Sequence, residues 1–210
     1  RMTLESELRV ALEEDQLVLH YQPQLGLADQ ALSGMEALVR WNHPRLGLLL
    51  PARFIALAED SGLICALGLK VMEMAVAQIA AWRALGLSVP RMAVNVSPMQ
   101  LRSELVNEIA QTLAHHDVPA ACLEVELTES ALTADGPAVN GLLQALRDMG
   151  VSIAIDDFGV GYSSLTLLRR LPISALKIDR SFVSELPANR QDIAIVEAIL
   201  NMAHCIGLRT

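Results

Sequence analysis

Six short stretches, 17–23, 33–41, 91–97, 122–128, 151–157 and 174–180, read as strands from their apolar and polar pattern, and helical patterns lie between most of them. Start and stop signals frame the helical parts. Thr3 can cap a helix with Leu4, Leu8 and Leu12 on one face, and Pro51 suits the first turn of another. Ser97 followed by Pro98 is a cap with its first helical position, and Asp135, Gly136 and Pro137 open one more helix. Gly86, Gly150 and Gly207 each close a helical stretch ahead of a short apolar run, the place for a left-handed C-terminal cap. Strands alternating with helices predict a mainly parallel sheet wrapped by helices. The first two strands are separated by about nine residues, too few for a helical crossover, so that pair is expected to be antiparallel.

Splitting the later strands by their period of two gives two unlike faces. Val94 and Val96, Val125 and Leu127, Ile153 and Ile155, Leu176 and Ile178 form an aliphatic set suited to packing beneath helices. The opposite faces carry Asn95, Glu126, Asp156 and Lys177. An open doubly wound sheet has helices on both faces and would bury that polar row at a cost. In a closed (β/α) barrel the polar face looks inward, and groups near the C-terminal strand ends line the usual active-site mouth. The pattern therefore predicts an α/β barrel.

Length and composition narrow the classes. A chain of 210 residues, 52% hydrophobic and 19% charged, fits a single globular domain spanning 1–210. Its net charge of -8 repels a nucleic-acid backbone, which argues against DNA or RNA binding. Cys65, Cys122 and Cys205 are odd in number and widely spaced, so neither a disulfide framework nor a zinc site is expected, and a reducing cytoplasm fits. Arg53, Glu59, Asp60 and Lys70 interrupt the apolar stretches, so no membrane span and no membrane contact by this segment is expected. A cytoplasmic domain of a larger membrane-anchored protein would read the same way.

Glu36, Asn95, Glu126, and the adjacent Asp156 and Asp157 come from four strand ends and form an all-oxygen set that suits Mg²⁺ or Mn²⁺. Four of the five are carboxylates, whose mutual repulsion two divalent cations would offset, and such ion pairs serve phosphoryl displacement. Asp156 and Asp157 can share two ions only if the pleat ends between them, since adjacent strand residues otherwise point to opposite faces. Gly159 and Gly161 follow directly and favour such a break. Lys177 on the same face could orient a nucleophilic water, or form an ion pair with Glu124 or Asp179. His43, His115, His116 and His204 lack ligand spacing and read as surface or packing residues, whereas His20 beside Gln22 could touch a substrate.

Six motifs in order carry a resemblance that covers essentially the whole chain. They are Tyr21-Gln22-Pro23, Glu36-Ala37-Leu38 within Met35 to Trp41, Val94 to Pro98, Glu126 to Ser130, Asp156 to Leu165 and Leu176 to Phe182. The chain resembles the EAL-domain family, the cyclic di-GMP phosphodiesterases. The resemblance implies a modified TIM barrel with an antiparallel first strand, cleaving one phosphodiester of cyclic di-GMP to linear 5′-pGpG with Mg²⁺ or Mn²⁺. Carried over by motif, Glu36, Asn95, Glu126 and Asp156 would bind the first ion, Asp156 and Asp157 the second, and Lys177 would assist the water. Gln22, Arg40 and Asp179 would hold the dinucleotide, and Glu129 would tether the loop from Asp157 to Ser164 near the interface of a homodimer. Where the family usually has threonine this chain has Val160. Its last residues, Gly207 to Thr210, fall where a seventh strand should begin, so the chain is expected to be a truncated domain that binds cyclic di-GMP better than it cleaves it. The competing expectations are a receptor that binds cyclic di-GMP without hydrolysis and a regulatory dimerisation module.

Overall fold

In the computed structural model, which describes residues 3–88, 90–132, 136–160, 168 and 170–210, the chain divides into two units, Arg1–Glu124 and Val125–Thr210. The first opens with α1 (Leu4–Glu13), capped by the Thr3 side chain accepting from the Ser6 amide. Leu8 and Ala11 supply its fully buried face. Strand β1 (Leu17–Leu25) then pairs antiparallel with β2 (Leu32–His43), as the short connection requires. In β2 the odd positions Ala37, Val39, Trp41 and His43 are buried, which leaves Glu36, Leu38 and Arg40 together on the other face. A third strand, β3 (Gly47–Leu49), folds back on the end of β2, with Gly47 at φ 70° as its first residue after the turn. Strand β4 (Met92–Asn95) adds to β2 in parallel, Glu36 facing Ala93 in the register.

Helices α2 (Ile55–Asp60), α3 (Ile64–Ala84) and α4 (Glu104–His115) complete this unit. Trp41 anchors the core edge-on against Phe54 at 5.8 Å, its indole N–H donating to Gln16 Oε1. Contrary to the expectation drawn from Lys70, α3 has the length and mean hydropathy of a membrane span. One lysine does not lower the hydropathy of 21 residues enough, and the apolar excess serves packing: Leu67, Val71, Ala75, Val76 and Ile79 are buried in this unit.

Glu7 ties α1 to the turn after β2. The buried His43 ring accepts the Arg45 and Leu46 amides on Nδ1, so its proton resides on Nε2 and is donated to Glu7 at 3.1 Å, while Arg45 reaches the other carboxylate oxygen. The His43 hydrogen bond, with help from Arg45, holds the Glu7 carboxyl below its ordinary range. A depressed carboxylate contributes stability above its unfolded pKa and loses it as pH falls through the folded one. Melting temperature below about pH 4.5 should therefore fall less steeply in Glu7→Gln than in the parent. Parallel pH profiles would remove this tether from the account of acid stability.

The second unit holds β5 (Leu123–Thr128, whose first two residues lie before the unit boundary), β6 (Ser152–Phe158) and β7 (Ala175–Ile178) in that order. Val125, Leu127, Ile153, Ile155 and Leu176 are buried completely, as the aliphatic set requires. Helix α5 (Gly136–Asp148) buries Val139, Leu143 and Leu146, and Gly150 follows at φ 98°. After the one-turn α6 (Arg180–Val183), α7 (Arg190–Cys205) is capped by Asn189, which accepts the Gln191 and Asp192 amides. The expected cap at Asp135 and the segment from Gly161 to Leu165 lie outside the described residues.

Candidate functional site

Chemistry-bearing side chains of the first unit collect on one face of β1, β2 and β4. Gln22 stands directly across from Glu36, and His20 across from Leu38, so all four share a face with Arg40 two residues further along β2. From the end of β4, Asn95 Nδ2 donates to Glu36 Oε1 at 2.8 Å. A cation on Glu36 would require the amide of Asn95 to turn its oxygen inward, a rotation that exchanges donor for acceptor with no change of shape.

In the second unit Lys177 is the centre. Its ammonium lies 2.6 Å from Glu126 Oε2 and 3.1 Å from Asp156 Oδ2. Glu126 is fully buried and Asp156 half-buried, so these are charge-assisted bonds in a partly dry setting. The ion pairs shown for Lys177 are thus with Glu126 and Asp156. Glu124 stands two residues nearer the start of β5 and pairs with Arg91 in its own unit, while Asp179 caps α6 by accepting the Ser181 amide.

The pleat of β6 breaks where the two aspartates require it. Ile155 pairs with Leu176 and Phe158 with Ile178, so Asp156 and Asp157 together oppose the single residue Lys177. Asp157 takes φ 53° in this bulge, a left-handed conformation that aspartate tolerates better than most residues. Burial, then the neighbouring Asp156 charge and the hydrogen bond with Asp179, push the Asp157 carboxyl up, whereas the Ser181 hydroxyl and then its amide hold Asp179 down. A divalent cation would relieve the strain of charge at Asp157, and oxygen donors of this kind fit Mg²⁺ or Mn²⁺.

Glu129, buried just past β5, accepts the Gly159 amide on Oε2 at 3.2 Å. Gly159 has φ 104°, and a Cβ there would meet the Phe182 ring at 2.9 Å, so only glycine suits the position. Glu129 therefore grips the chain two residues after Asp157. Two contacts escaped the sequence reading: Asp157 with Asp179, and Ser97 with Glu59. Motif spacing flagged the segments of Asp157, Asp179 and Ser97 but not that of Glu59, and periodicity alone does not reveal which side chains meet.

The family model for the EAL domain matches residues 5–210, and the chain belongs to the EAL-domain family. It is 47% identical over 99% of its length to cyclic di-GMP phosphodiesterase NbdA of Pseudomonas aeruginosa, and 40% identical over 98% to cyclic di-GMP phosphodiesterase PdeR of Escherichia coli. It spans 27% and 31% of those two proteins. The solved structure of the PaMucR phosphodiesterase in complex with c-di-GMP superposes with a TM-score of 0.93 at 43% identity, covering 99% of this chain and 84% of that one. The fold class is therefore the TIM-barrel-like α/β fold of EAL domains, with an antiparallel first pair.

Proposed function

We propose that this chain hydrolyses one phosphodiester bond of cyclic di-GMP to linear 5′-pGpG. The observation that carries the reading is the bulge that sets Asp156 and Asp157 together opposite Lys177, itself bound to Glu126. The names of NbdA, PdeR and the PaMucR complex support cyclic di-GMP as the substrate.

In this reading Glu36, Asn95, Glu126 and Asp156 hold one divalent cation, and Asp156 with Asp157 hold a second. Charge stabilisation of the attacking and leaving oxygens is the chemistry such a pair supplies when bound. Gln22, Arg40 and Asp179 hold the dinucleotide, with the planar Arg40 guanidinium suited to a forked contact on phosphate. Lys177 donates to the attacking water, keeping a lone pair directed at phosphorus, and Glu129 fixes the Gly159 turn so that Asp157 keeps its place. The same reading makes the molecule a cytoplasmic bacterial signalling domain and a homodimer, for which sedimentation should give twice the 22.7 kDa chain mass.

The test is to titrate cyclic di-GMP with and without Mg²⁺ while following linear product. Binding without product in Mg²⁺ and Mn²⁺ would replace the enzyme by a receptor. Ca²⁺ should occupy the site and inhibit, because its bonds of about 2.3–2.6 Å are longer and looser than the roughly 2.0–2.1 Å octahedral Mg²⁺ bonds that in-line displacement uses. Hydrolysis in Ca²⁺ equal to that in Mg²⁺ would defeat this geometric argument.

A further inference from the structure

Behind Asn95 lies a polar network that the cation-binding role does not account for. Strand β4 is only four residues long and ends at Asn95, whose side chain is exposed and bonded to Glu36, so its placement also depends on the backbone that follows the ladder. Two residues later Ser97 is fastened from three directions. Its amide donates to Gln100 Oε1 at 3.0 Å, its hydroxyl donates to Glu59 Oε1 at 2.6 Å, and the same hydroxyl accepts the Met99 amide at 3.3 Å. The reciprocal Ser97–Gln100 bonds form a capping box around the single turn Pro98–Gln100.

Gln100 is 6% exposed and lies flat against α3, where its amide fills the space in front of Gly68. A Cβ at Gly68 would overlap the Gln100 Nε2 and stand 2.9 Å from Oε1. Glycine in the interior of a 21-residue helix is unfavourable relative to alanine, so its place there needs a reason, and the Gln100 amide supplies it.

We propose that Gly68, Gln100 and Glu59 are positioning residues that act through Ser97 to hold Asn95 toward Glu36 for cation binding. The inference rests on the cation role given to Asn95 above. Partners that orient metal ligands tune affinity, and removing one typically costs about 10- to 100-fold.

Gly68→Ala is the diagnostic variant, because alanine favours the helix while its methyl displaces the Gln100 amide. Free Mn²⁺ measured by electron paramagnetic resonance should show affinity weakened about tenfold in a variant whose metal-free circular dichroism spectrum matches that of the parent. Gln100→Leu should weaken Mn²⁺ binding similarly, and Gln100→Glu, which keeps the accepting oxygen, should restore it. Parent-like Mn²⁺ affinity in Gly68→Ala would overturn the proposal. Asn95→Ala separates the two levels: if it weakens binding while Gly68→Ala does not, the positioning network alone fails. If Asn95→Ala also binds Mn²⁺ like the parent, the cation role of Asn95 fails and takes the network's role with it.

Discussion

Glu36→Ala should abolish detectable hydrolysis of cyclic di-GMP while leaving the melting temperature close to that of the parent. The two halves of the expectation come from the two faces of β2. The core uses Ala37, Val39 and Trp41, all at most 9% exposed, whereas Glu36 points to the opposite face and is half-buried. Truncation there opens no cavity among apolar side chains, and the exposed Asn95 amide that loses its acceptor can turn to water. The catalytic loss is of another order. Removing one group that stabilises developing charge typically costs about 10²–10³ in turnover, and a missing carboxylate also weakens cation occupancy. A loss of about 10³ or more in product formation is therefore expected at saturating substrate. Turnover within a few-fold of the parent would remove Glu36 from the cation set, and a collapse in melting temperature would show that its role is structural.

Much of this was legible in the chain because alternation and side-chain chemistry coincide at the strands. Asn95, Glu126, Asp156 and Lys177 stand on the faces opposite Val94, Leu127, Ile155 and Leu176, and those four aliphatic residues are essentially fully buried. The short link between β1 and β2 likewise dictated an antiparallel pair. Strand β3 was not legible, because three residues cannot display a period of two. The break between Asp156 and Asp157 was anticipated from nearby glycines, yet the residue that turns the chain is Asp157 itself in a bulge. The sequence offers Lys177 either a role at the water or an ion pair with Glu124 or Asp179, and the structure pairs it with Glu126 and Asp156. Depth along the strand decides the pairing, and register becomes known only once the strands are aligned.

Lys177→Met should lower turnover by about 10²–10⁴ while changing cyclic di-GMP affinity much less, the signature of an interaction made mainly in the transition state. It should also mark the metal-free protein. Lys177 Nζ sits 2.6 Å from a Glu126 carboxylate whose side chain has 0% exposure, and methionine keeps most of the stem while deleting the charge. Breaking a fully buried pair costs about 3–5 kcal/mol, but Lys177 retains 29% exposure and water screens it, so about 2 kcal/mol is the fitting size here. Without the ammonium, the Glu126 and Asp156 charges repel, and adding Mn²⁺ should raise the melting temperature of the variant by more than it raises that of the parent. The two measurements separate the two roles of the lysine. If Mn²⁺ restores stability but not turnover, Lys177 acts on the water as well as on the carboxylates. Should turnover return together with stability, Lys177 is a structural counter-ion and the role at the water is lost. A loss of affinity with unchanged turnover would instead place it among the residues that hold the dinucleotide.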